Sequence, residues 1–418
     1  MKCCTFLMAI FFLTSSAVIT AEEWEERAEL PGGPRHHPVG WNLDGNGYVL
    51  TGTAESLGSL VLEDDFYRYH PEDDEWETLD DFPGPARSFS IGIEYDGKGY
   101  IGFGMGPGQE HLDDLWRYDP ESEEWEELTP CPCDGRRHPV LEAQNGRIFA
   151  GLGDEVVGQS IEDLDDWWAY DIEDDEWEQM DDLPGPARHH PFHFSIGYYV
   201  YAGMGHSGPT IFDDWYRFDT EVEEWEQMED FPGQARVAGT QFAHQGLGYV
   251  LSGDGSDHSY MEEGEFWRYY PEEDEWEELP PHPGTSRWAP TSFAIGNEVF
   301  FHAGQDRADN DQLHNDLWAY EMSMPTPLAN FDEDPAQYTL YPNPAENRAN
   351  IEISSELDRP VQVALYNMNG KELENASPEE AITPGETIEL DVENLNAGIY
   401  MVRVHNDQYS ENFRLQVQ

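Results

Sequence analysis

The chain is 418 residues long with 21 basic and 87 acidic side chains, a formal net charge of −66 at pH 7. A field of that sign repels phosphate, which excludes nucleic acid and anionic membrane surfaces as general partners. With 14 Trp, 21 Tyr and 20 Phe the chain is too aromatic for a disordered polyacid, and its length suits two or three domains with real cores. Lysine is scarce, 3 against 18 Arg, and both the N-terminal bulk and the last 80 residues are acidic. The charge therefore reads as adaptation to a salty habitat, where molar salt shortens the screening length to about 3 Å.

The first 21 residues read as a secretory signal: Lys2, an apolar run from Phe6 to Leu13, and small residues ending at Ala17 or Ala21. That run is too short to span a bilayer and no later stretch is long enough, so no transmembrane segment is expected. Cys3 and Cys4 lie in the signal. Cys131 and Cys133 remain, in Cys-Pro-Cys, and are expected to be loop residues rather than a disulfide framework or a metal site.

From residue 24 the sequence repeats. Trp24, Trp76, Trp125, Trp177, Trp225 and Trp276 each stand between two glutamates, 48 to 52 residues apart. After each Trp a turn rich in Pro or Gly leads to an arginine: Arg35, Arg87, Arg136, Arg188, Arg236 and Arg287. A β-rich stretch ending at glycine follows (Tyr48 to Gly52, Tyr100 to Gly104, Tyr199 to Gly203, Tyr249 to Gly253). Next comes an acidic pair opening an aromatic strand, as at Asp64-Asp65, Asp113-Asp114, Asp165-Asp166 and Asp213-Asp214. Four short strands per unit of about 50 residues are the mark of a propeller blade.

These residues resemble kelch repeats over about residues 24 to 322, with the second glycine of the expected pair often replaced (Thr53, Met105, Asp254, Gln305). The unit that starts at Arg287 lacks a closing Trp, and the Trp24 segment has nothing before it. Joined, they complete one blade. The expected fold is all-β: a six-bladed kelch β-propeller over residues 22–325, closed by N-terminal strand exchange.

Residues 326–338 read as a linker. The tail, 339–418, predicts a small antiparallel β-sandwich with strands at Asn350 to Ile353, Val361 to Tyr366, Thr387 to Asp391 and Gly398 to Val404. Its order of Leu340-Tyr-Pro-Asn-Pro344, Leu365-Tyr-Asn-Met-Asn-Gly370 and Leu395-Asn-Ala-Gly-Ile-Tyr-Met-Val402 resembles the C-terminal sorting domain of type IX secretion. The resemblance implies the type IX machinery as a partner, passage to the outer cell surface, and a bacterium of the Bacteroidetes group.

Function is then expected in the propeller. The six arginines share one face with the acidic pairs, and either bind a carboxylate or sulfate there or pair with those acids to tie the turns together. The residues that follow them break the repetition: His36-His37, Ser88-Phe89, Arg137-His138, His189-His190, Val237-Ala238 and Trp288-Ala289. Loops between second and third strands add Gln109, His111, His206, His258, Gln305 and Arg307. The candidate ligand-binding set is Arg35, His36, His37, Arg87, Arg137, His138, Arg188, His189, His190, Arg236, Arg287 and Trp288. No metal or other cofactor is expected, because the His spacing follows the repeat and arginines stand beside it. The acidic runs at 72–75, 121–124, 173–176 and 272–275 fall on the opposite face and read as solvated hairpins. The leading expectation is a surface-displayed module that binds a glycan or a protein. The alternative follows from a resemblance of some secreted six-bladed kelch proteins to sialic-acid mutarotases, with His138, His190 or Asp254 as acid–base candidates.

Overall fold

The computed structural model describes residues 24–56, 59–158, 160–322, 338–345, 347–353, 360–367, 373, 382–383, 385–395, 398–405 and 410–417. The signal segment and most of the linker lie outside the described residues. Among the described residues the fold is all-β, and no helix is long and apolar enough to cross a membrane.

Six antiparallel four-stranded sheets form the blades. The innermost strands are Val39–Leu43, Ile91–Tyr95, Val140–Gln144, Phe192–Ile196, Thr240–His244 and Thr291–Ile295, each against the next and the sixth against the first. In blade one, Asn46–Leu50, Phe66–His70 and Glu75–Thr78 follow outward in chain order. Blade six takes three strands from the end of the repeat region and its outer strand, Glu25–Arg27, from the beginning. Glu25 stands opposite Ala319 and Arg27 opposite Leu317. Trp24 anchors that strand, with its ring 5.1 Å from Tyr320 and near Phe266 and Phe301.

Neighbouring blades interlock through paired sizes. At three seams the third residue of an inner strand faces the second residue of the next blade's second strand. Where the former is Phe293, Trp41 or Phe194, the latter is Gly47, Gly99 or Gly248, and a Cβ at any of these glycines would overlap the ring.

Among its described residues the tail forms two three-stranded sheets. One holds Tyr338–Tyr341, Arg348–Ile353 and Thr387–Asp391, the other Gln362–Asn367, Gly398–His405 and Ser410–Val417. Alternate residues such as Ile351, Ile353, Val363, Leu365, Val402 and Val404 fill the space between them. The first and last of these six strands were not in the sequence expectation.

The cysteines are a further departure from expectation: Cys131 and Cys133 form a disulfide, with Cα atoms 5.1 Å apart and within the span a disulfide bridges. Cys131 is buried among Phe103, Leu115 and Leu128, so the turn it closes is part of the core between blades two and three.

Candidate ligand-binding mouth

Each blade's second strand ends in two consecutive residues in the left-handed region. Gly52, Gly104, Gly153, Gly205, Gly253 and Gly304 take the second position, where glycine is at ease. The first position is occupied by Thr51, Phe103, Leu152, Met204, Ser252 and Ala303, at φ 51–65°. The departure from a glycine pair therefore falls one step before the glycine, and not after it as the sequence expectation had it.

That conformation is costly for residues with a Cβ and needs support. The repeat arginine supplies it. Arg35, Arg87, Arg136, Arg188, Arg236 and Arg287 donate from Nη1 to the carbonyl oxygen of this first residue, at 2.8–3.4 Å. Five grip the acid that opens strand three in two-pronged fashion, Asp65, Asp114, Asp166, Asp214 or Asp316, at 2.5–2.9 Å. Arg236 bonds Glu265 instead. All six are at most 5% exposed. Arg35, Arg87, Arg188, Arg236 and Arg287, expected as ligand contacts, are thus buried and paired within their own blades.

The mouth is made by the two residues that follow. The second of them, His37, Phe89, His138, His190, Ala238 or Ala289, is also left-handed in every blade, at φ 51–62°. Backbone bonds link these positions around the axis, from His37 N–H to Ala289 O (2.8 Å), His138 N–H to Phe89 O (3.0 Å) and Ala289 N–H to Ala238 O (2.7 Å). The four large side chains converge across the axis. Phe89 packs edge-on to His37 and His138, His138 lies 3.4 Å from His190 between ring centres, and His37 Nε2 meets His190 Nε2 at 3.4 Å. Trp288 leans over the side left small by the alanines, 4.4 Å from His37. Beneath this cap runs a channel of about 270 Å³, lined by the inner strands. Its wall carries Glu142, which accepts from His193 (2.6 Å) and Ser195 (2.8 Å).

Outside the cap lie the groups that vary most between blades. Arg137 donates from Nε and Nη2 to Asp154 Oδ2, at 3.0 and 2.6 Å, and sits over Phe89. Arg307 pairs with Asp254 and stacks on Trp288, 4.5 Å from its centre. The arginine side chains are 20% and 30% exposed, while Asp154 and Asp254 are buried. Burial holds the Asp254 carboxyl up at about 6 despite Arg307. Asp154 is also buried, but His138 and Arg137 outweigh that and bring it down to about 2. His189 donates to Asp163 at 2.5 Å and stacks near His206, which is followed by His258. His36 is almost fully covered, between His37 and Trp288.

The structure thus brings together His36, His37, Arg137, His138, His189, His190 and Trp288 from the expected set. Asp154 and Asp163 were missed. The signal for Asp154 was available: it follows Gly153 as Asp254 follows Gly253, directly after the strained turn.

Comparison with known proteins fits this architecture. Residues 99–132 match the Kelch motif, and residues 339–418 match the secretion system C-terminal sorting domain. The solved structure of YjhT superposes with a TM-score of 0.55 at 15% identity, covering 70% of this chain and 96% of that one. N-acetylneuraminate epimerase of Haemophilus influenzae is 36% identical over 96 residues, 22% of this chain and 24% of the relative. The enzyme of the same name from Pasteurella multocida is 32% identical over 77 residues, 18% and 20% of the two chains. The chain thus matches about a quarter or less of the length of these curated relatives. The protein is a kelch β-propeller carrying a sorting domain of the secretion system. That tail marks it for export to the cell surface or beyond.

Proposed function

We propose that the displayed propeller binds a carboxylate-bearing glycan at the mouth. The observation that carries this reading is the pair of arginines outside the six-fold set. Arg137 and Arg307 are each held on one side by a buried aspartate and keep partly exposed guanidinium nitrogens, Nη1 of Arg137 and Nη2 of Arg307, free of described hydrogen bonds. Guanidinium groups fixed in this way suit carboxylate recognition, and the adjoining Trp288 and Phe89 offer faces for a sugar ring.

The test is binding of the full chain to acidic and neutral glycans in molar salt. Acidic glycans are expected to bind, and Arg137→Ala or Arg307→Ala to weaken binding by about tenfold or more. A blank panel moves the reading to a protein partner. The exposed Leu60, Val61, Val156, Val157 and Ile161, on hairpins beside the mouth, would then be the contacts to examine.

A second reading, mutarotation of a sialic acid, draws on the short match to N-acetylneuraminate epimerases and on Asp254. A buried carboxyl held near 6 beside an arginine is suited to proton transfer at neutral pH. On that reading Asp254→Asn lowers turnover by about a hundredfold, more than the loss of binding that follows from releasing Arg307.

A further inference from the structure

We infer that His37, His138 and His190 form a binding site for one divalent transition-metal ion of the zinc class at the throat of the propeller. The three residues come from blades one, three and four, and one nitrogen from each lies within 4.8 Å of the others. Ligand nitrogens around a four-coordinate zinc ion stand roughly 3.3 Å apart, so modest ring rotations close the set.

Protonation supplies the second, independent observation. The Asp154 carboxylate can only accept, so His138 Nδ1, 3.2 Å from Oδ1, carries the proton. Its Nε2 is then a bare lone pair, and it is buried with no hydrogen-bond partner. His190 Nδ1 is likewise buried and unpartnered. Buried polar atoms left without partners are costly, and a cation at this point satisfies His138 Nε2. The Asp154–His138 pair also has the form of the outer-shell carboxylate that orients a metal-ligating imidazole. Three imidazoles suit zinc, copper or nickel better than a hard cation. All three residues line the channel, which gives an ion a path of entry.

The neighbouring arginines weigh against a metal in the sequence, and the structure lessens that objection. Arg137 is paired with Asp154 and Arg307 with Asp254, so each guanidinium charge is partly offset beside the throat. The inference is independent of the glycan reading, since it needs no sugar.

The experiment is a titration of the chelator-treated full chain with Co2+ at neutral pH in molar salt. One ion per chain is expected, with the visible bands of a low-coordinate nitrogen site and displacement by Zn2+. Copper(II) spin resonance on the unaltered chain is expected to report several imidazole nitrogens, which requires no variant. His138→Gln and His190→Ala are each expected to abolish the bands, and Asp154→Asn to weaken affinity about tenfold. Absence of bands and of nitrogen coupling in the unaltered chain overturns the inference. So does binding that survives both His138→Gln and His190→Ala, or that is lost on substituting His206 alone.

Discussion

At the scale of single residues, the repeat arginine shows how one side chain secures a strained turn. Its guanidinium joins the carbonyl of a left-handed residue to the first carboxylate of the next strand, and it does so in every blade. Arg188→Ala would leave Asp214 and the Met204 carbonyl facing an emptied, buried space. We expect a loss of about 3 kcal/mol, measured by urea unfolding in molar salt. Arg188→Lys recovers only part of it, because an ammonium cannot make the two-pronged bond. Much of this was legible in the sequence, since arginine and acidic pair recur in phase. What the letters could not give is direction. An arginine of the repeat, Arg136, and its immediate neighbour, Arg137, look alike in the sequence, yet Arg136 turns into its own blade and Arg137 turns toward the mouth. Asp154 stands in phase with Asp254 and so was legible as a position, but its partner at Arg137 belongs to no repeat and the pairing was not.

At the scale of elements, the blades are nearly interchangeable in hydrogen bonding and differ at their seams. Trp41 against Gly99, Phe194 against Gly248 and Phe293 against Gly47 make three of the six seams size-matched. Gly99→Val is expected to cost about 1–3 kcal/mol by overpacking. In the Trp41→Ala background the same substitution is expected to cost less, and a double-mutant cycle in urea reads the coupling directly. The strand count and blade boundaries followed from Trp spacing and turn residues. The seams did not, because facing residues lie about 50 positions apart and only the ring geometry pairs them. In the tail, Tyr338–Tyr341 and Ser410–Val417 escaped the sequence reading, having weaker alternation than the four strands between them.

At the scale of the whole molecule, charge and closure dominate. With −66 net charges on a surface that also carries exposed acidic hairpins, self-repulsion is long-ranged in dilute buffer and confined to a few ångströms in molar salt. We expect the thermal midpoint to fall steeply as NaCl is lowered from about 3 M to about 0.05 M. An unchanged midpoint across that range would show that the acidic surface does not govern stability.

The outer strand of blade six joins residues near opposite ends of the propeller sequence, Glu25 with Ala319 and Arg27 with Leu317. Bringing such distant points together in an open chain costs about 5 kcal/mol of loop entropy. In the finished ring that cost has already been met by the seams between blades one to five, which hold the strand beside its slot at high effective concentration. A chain whose inner blades are not yet assembled lacks that advantage. Its first strand then sees the slot of a neighbouring copy on equal terms with its own, and crowding turns ring closure into exchange between molecules. The same three residues that close the ring within one chain are therefore the ones through which two chains would be linked if closure were exchanged between them.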